Sequence, residues 1–218
     1  MSGSEDPIHP TDALKSLDQV SIVDPRNNHI ELADWHAAIS EITLVEKTPT
    51  EVKQLFENAK NVALYTYFAY RLHQPAELIG YSALEKALKI KFEREKSRIN
   101  IQRSPSRLID YMDIALEHKW ITNHGYESAR PIAEARVRHR KIFELIESSA
   151  DHGESIPVPE PEEPDILSEL ESMDIAQSML HSARHIRNFL AHGDGGLAPS
   201  SIGTLRKIAE EINQLFRN

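Results

Sequence analysis

The sequence predicts an all-α protein. No stretch alternates apolar and polar residues with period two for long enough to make a convincing strand. Apolar residues instead recur at spacings of three and four through most of the chain, as on one face of a helix. Proline and glycine fall between these periodic stretches, where helices start and stop. With 218 residues, 40% hydrophobic and 27% charged, the composition is that of an ordinary globular chain, large enough for a domain with an insertion. About eight helices joined by short loops are expected.

Residues 1–29 are punctuated by Pro7, Pro10 and Pro25 and read as irregular, with at most a short helix over 11–17. Ile30, Leu32, Trp35, Ile39 and Ile42 keep helical spacing, which predicts a helix to about residue 46. A second helix is predicted over 50–73, with Glu51 in its first turn at the positive end of the helix dipole. Its second half, 62–70, is apolar nearly all round and is expected at the centre of the bundle or in a subunit contact. Pro75 opens the next helix, with Ile79, Ala83, Ala87 and Ile90 as its stripe, widened by Tyr81, Leu84 and Leu88. Ser104 and Pro105 read as the N-cap and first residue of a helix carrying Leu108, Met112, Ala115 and Leu116 and ending near Trp120. After a turn at 122–125, a basic helix runs from about Arg130 to Ser148, with Ile132, Ile142, Phe143 and Ile146 on its apolar side and His139 at the rim. Residues 151–164, rich in proline and glutamate, form a linker. One long helix is then expected over 165–192, and a last one from Pro199 or Ser200 that buries Leu205, Ile208, Ala209, Ile212, Leu215 and Phe216.

Net charge is −9, which argues against non-specific nucleic-acid binding. The acid is concentrated, however: residues 142–183 hold 11 acidic side chains and no lysine or arginine, so the rest of the chain carries +2. Basic residues gather at 86–107, including Lys89 and Arg94, and at 130–141, including Arg136, Arg138 and Arg140. These five are the candidate RNA contacts. The plainer alternative is solvated helix faces with i,i+4 pairs such as Glu85–Lys89. There is no cysteine, hence no disulfide, thiolate metal site or cysteine nucleophile. The N-terminus does not read as a secretory signal, and no segment is apolar enough to span a bilayer, so no membrane association and a cytoplasmic location are expected.

The stretch most suited to chemistry is 182–193, SARHIRNFLAHG. On a 3.6-residue wheel, Met179, Ala183, Ile186 and Leu190 form the expected core stripe. His181, Asn188 and His192 lie opposite, with His185 near them. Arg187 falls about 60° from the centre of that stripe, so it flanks the packed face and needs an acceptor. Gly193 is the natural stop. Motifs for nucleotide-binding strands and loops and for serine hydrolases are missing, so no cofactor is implied.

An arginine, an asparagine, a short spacer and a histidine at the end of a long helix (Arg187, Asn188, His192) resemble the signature of the HEPN superfamily (higher eukaryotes and prokaryotes nucleotide-binding). The helix containing Glu77–Phe92 resembles the alanine- and leucine-rich helix that packs beside that motif. The resemblance covers about 62–95 and 165–216. It implies a HEPN-like multi-helix bundle over 51–218 with a helical insertion at about 96–164, after an N-terminal extension, 1–50, carrying one helix. It further implies a homodimer with two motifs facing each other, and metal-independent endoribonuclease activity, often that of a toxin or phage-defence effector with an antitoxin as partner. In such a site Arg187 would hold the scissile phosphate through its bidentate fork. His192, in the last helical turn, would move a proton to or from the reacting oxygens. Asn188 would orient the imidazole or touch phosphate. Three alternatives stand beside this. Arg187 can pair with a carboxylate such as Glu85 while His192 caps the helix end. The module can bind RNA, nucleotide or protein without catalysis. His181 and His185, at i,i+4, can ligate a metal with His192 or a carboxylate.

Overall fold

The structure is a computed structural model, described over residues 10–100, 104–148, 157, 159–191 and 199–217. Eight α-helices are present among these residues: α1 (Leu32–Ser40), α2 (Thr50–Tyr65), α3 (His73–Glu95), α4 (Leu108–Glu117), α5 (Ala129–Ser148), α6 (Glu163–Ser172), α7 (Ile175–Ala191) and α8 (Ser201–Phe216). No strand occurs among them, and none of the helices is long and apolar enough to cross a membrane. The fold is all-α, as the periodicity predicts.

The centre of the bundle is α3, and α2, α4, α7 and α8 all pack on it. Its small residues explain this. Ala76, Gly80, Ala83 and Ala87 are buried and let neighbouring helices approach from more than one side. At Gly80 a Cβ would stand 2.6 Å from Leu205 Cδ2 and 3.0 Å from Ile208 Cδ1, so α8 lies directly on the α3 backbone. Gly80→Ala is therefore expected to destabilise by about 1–3 kcal/mol despite its better helix propensity, read as a lower urea midpoint with unchanged m-value. The six apolar residues expected on the inner side of α8 are all buried.

One apolar cluster draws on all eight helices. From the N-terminal extension it takes Trp35, Ile39 and Ile42; from 96–164 it takes Met112, Ile121 and Tyr126. Both segments are thus built into the bundle rather than laid over it.

Several boundaries differ from the periodic pattern, each for a reason found elsewhere in the chain. The first helix ends at Ser40, and Asn213 of α8 holds the segment that follows: its amide accepts from Val45 N (2.7 Å) and donates to Thr43 O (3.0 Å). The apolar stretch 62–70 does not stay helical. α2 stops at Tyr65, where Asn27 donates to the carbonyls of Thr66 and Tyr67 and Asp24 accepts from Tyr70 N. Ser104 and Pro105 do not open a helix. α4 starts at Leu108, and the Asp110 carboxylate takes the N–H groups of Ser106 (3.0 Å) and Arg107 (2.9 Å), a capping box built from the acidic side.

The long helix expected over 165–192 is two helices. Met173 is extended between them. Asn123, from the turn before α5, bridges the break. It donates to Leu170 O (2.7 Å) and Met173 O (2.6 Å) and accepts from Ala176 N (2.9 Å), satisfying groups at the end of α6 and the start of α7. Asn123→Ala leaves three backbone groups without this partner. An expected loss of about 1–3 kcal/mol follows, with faster amide exchange at residues 173–176 as the local readout.

Candidate functional site

The site is built around α7, which packs against α3 and α4. Its buried residues are Ala176, Leu180 and Ala183. That stripe is turned by about 60° from the one expected from Met179, Ala183, Ile186 and Leu190. Two consequences follow. Ile186 and Phe189 are exposed, at 39% and 49%. Arg187, one turn beyond Ala183, sits on the packed face itself rather than beside it.

Arg187 is half-buried there, with 35% of its side chain exposed. Its Nη2 donates to Glu85 Oε2 on α3 at 3.2 Å, so the acceptor expected for it is the carboxylate named from the sequence. Glu85 also accepts from Lys89 at 2.6 Å, one turn along α3. The carboxylate thus faces two cations, and the trio carries one surplus positive charge. Arg187 Nη1 reaches only the Asn188 side-chain oxygen, at 3.5 Å, the outer limit of a hydrogen bond. Arg187 Nε is buried and has no partner among the described residues. A guanidinium held on one edge and open on the other can donate to a phosphate oxygen without first breaking its tether.

Of the other expected site residues, Asn188 is exposed beside Arg187. His192 and Gly193 lie outside the described residues. His185 is exposed, while His181 Nε2 faces Asp113 Oδ1 of α4 at 3.5 Å. Among the described residues no three His, Asp or Glu side chains converge as metal ligands.

The candidate RNA contacts do not gather at Arg187. Lys89 does, through Glu85. Arg94 lies at the far end of α3 with its guanidinium 5.5 Å from the Phe216 ring centre. On α5, Arg136 and Arg140 both meet Glu169 of α6 (3.5 and 2.8 Å), and Arg138 meets Glu160 (2.8 Å). Arg130 is held by Glu163 and Glu134, and Lys141 by Asp165. The basic helix and the acidic segment that follows it neutralise each other. The buried side of α5 is Ala129, Ala133 and Val137, while the expected apolar residues Ile132, Phe143 and Ile146 are exposed, at 41%, 53% and 57%. His139, expected as a satisfied core or rim histidine, is exposed and stands edge-on to the exposed Phe143 with ring centres 4.7 Å apart.

Two buried polar groups at the α3–α8 contact escaped the sequence reading. His73 Nδ1 is 2.7 Å from Ser201 Oγ. Both side chains are buried, so this pair braces the start of α8 rather than offering a nucleophile. Burial, with Arg26 nearby, pushes the imidazole pKa down to about 4. Glu77 accepts from Ser200 (2.6 Å) and Thr204 (3.2 Å) in the same region, and burial moves its pKa upward. Deeper along α8, Glu211 accepts from Tyr126 OH at 3.2 Å, while its second oxygen has no partner among the described residues. Burial pushes its pKa up to about 8. The signal for Glu211 was available: it lies three residues after Ile208 and one before Ile212, on the apolar stripe.

No protein-family model, no curated protein sequence and no solved structure matches this chain.

Proposed function

We propose that the protein is a HEPN-like, metal-independent endoribonuclease that acts as a homodimer, with Arg187 and His192 of both copies at a shared site. The observation that carries this reading is the state of Arg187: it is tethered by Glu85 on one edge, with its Nη1 facing no carboxylate among the described residues. Two features support it. Ile186 and Phe189, exposed on the same helix, give a second copy an apolar surface to cover. The Arg187–Glu85–Lys89 trio keeps a surplus cation at the motif despite the acidic chain.

The chemistry is transfer of a phosphodiester from the 5′-oxygen of one nucleotide to the neighbouring 2′-oxygen. A base takes the 2′-hydroxyl proton, an acid returns one to the departing 5′-oxygen, and a cation steadies the five-coordinate phosphorus between them. Arg187 supplies the cation, His192 the proton transfer, and Asn188 the orientation of either. A role as a toxin or phage-defence effector, with an antitoxin as partner, belongs to this reading.

A second reading is favoured by the pairing of the α5 basic residues with α6 and by the ion pair Arg187 already makes. In it the bundle is a non-catalytic module for RNA, nucleotide or protein. Incubating a mixed RNA in EDTA with wild type, Arg187→Ala and His192→Ala, with mass in solution checked, separates the two. Cleavage by the wild-type dimer alone supports the enzyme; an inert, well-folded wild type supports the module.

A further inference from the structure

The ends of α3 and α8 and the segment leading into α2 line an open pocket of about 290 Å³. Its charge is one-sided. Lys47, Lys91, Arg94 and Arg98 line it against a single carboxylate, Glu95. Glu95 is already shared between Lys91 (3.4 Å) and Arg98 (3.3 Å). Lys47 and Arg94 therefore have no carboxylate partner among the described residues. The larger groove beside α8, about 650 Å³, is different: there Glu41, Glu127 and Glu210 offset Arg206 and Arg217.

Two of the four cations stand over aromatic rings, Arg94 with no carboxylate partner among the described residues and Lys91 beside the shared Glu95. The Arg94 guanidinium lies 5.5 Å from the centre of the Phe216 ring, and the Lys91 ammonium 5.6 Å from that of Trp120. A ring face attracts a cation but leaves its N–H donors free. The negative end of the α3 dipole lowers the cost of collecting these charges in the last turn. The result is an excess of three positive charges around a space large enough for a compact anion and too small for a folded partner.

We propose that this pocket binds a compact phosphate anion carrying two phosphoryl groups. Arg94 and Arg98 offer forked donors, Lys47 and Lys91 point charges, and Phe216 forms an apolar floor. The site is independent of the motif on α7. Arg94 lies nine residues beyond Glu85, about half a turn round α3, so it faces away from Arg187.

Trp120 supplies the readout, because an anion that draws Lys91 off its ring changes its emission. The other tryptophan, Trp35, is buried in the core. Full-length protein is titrated at low salt with inorganic pyrophosphate, ADP and single-stranded RNA. Saturation by pyrophosphate is expected. Equal affinity for ADP marks the diphosphate end of a larger molecule as the ligand, and preference for pyrophosphate marks the free anion. Lys47→Gln with Arg94→Gln is expected to weaken binding by at least about tenfold, since two charge-assisted contacts are lost. Glu95→Gln is expected to tighten it severalfold, and Arg130→Gln, on α5, to leave it unchanged. These side chains are at or near the surface, and far-UV circular dichroism confirms that the variants fold. No saturation by pyrophosphate, wild-type affinity in the double variant, or binding of RNA alone would overturn the proposal.

Discussion

Stability against pH is expected to peak between about pH 4.5 and 6.5, with two buried groups setting the shape. Glu211 has its carboxyl raised from 4.5 to about 8 in the folded protein. The folded state therefore binds the extra proton between those values, and stability is lost as pH rises through them, by about 1.4 kcal/mol per unit. His73 is lowered from 6.5 to about 4. Its contribution is fully present above 6.5 and lost as pH falls through 4. Between 4.5 and 6.5 the two slopes oppose each other, and the upward shifts of Glu77 and Glu210 move the optimum toward the acid side. Between 6.5 and 8 only the loss remains, about 2 kcal/mol from Glu211. Below 3.8, Asp24, held down to about 2 by Arg26 and by backbone N–H donors against its own burial, adds to the acid limb. Urea denaturation from pH 4 to 9 reads this profile. Glu211→Gln keeps the acceptor for Tyr126 and is expected to flatten the limb between 6.5 and 8. A limb that persists in this variant would show that another group carries the titration.

Arg187→Ala is expected to reduce RNA cleavage by about 10²–10³, the usual cost of removing one preorganised donor from a transition state. Its effect on stability is expected to be small, about 0–1 kcal/mol. The pair with Glu85 is a third exposed on the arginine side, and Glu85 keeps Lys89 as a partner. Arg187→Lys sharpens the contrast: it retains the charge and can still reach Glu85, but loses the planar fork. Cleavage falling in both variants while the urea midpoint stays near that of wild type marks a group that touches substrate. A large loss of stability in Arg187→Ala with cleavage unchanged would mark a structural ion pair.

Local patterns predicted the fold well where neighbours in sequence decide the outcome. The stripe of α8 and most of that of α3 follow from periodicity, because both helices are buried along their length against several others. The pattern failed where side chains far away in sequence terminate a helix. Asp24 and Asn27 end α2 from about 40 residues upstream, and Asn123 divides α6 from α7 from about 50 residues away. No local period contains such information. The turn of α7 was misread for a related reason. Ile186 and Leu180 are equally plausible core residues by composition, and only the neighbours on α3 and α4 select between them. For the site, the partner of Arg187 was legible as Glu85, since a guanidinium near a packed face needs a carboxylate within reach. The basic residues of α5 were not legible as neutralised, because their acids lie within the following linker and beyond it.

The most direct measurement is the chemistry of the ends left on a defined, labelled RNA after incubation in EDTA with wild type and with His192→Ala. Attack by the 2′-hydroxyl predicts 2′,3′-cyclic phosphate on one fragment and a 5′-hydroxyl on the other, formed by wild type and not by His192→Ala. Ends bearing a 5′-phosphate, equal cleavage by both proteins, or no cleavage by a folded wild-type dimer would contradict the proposed ribonuclease.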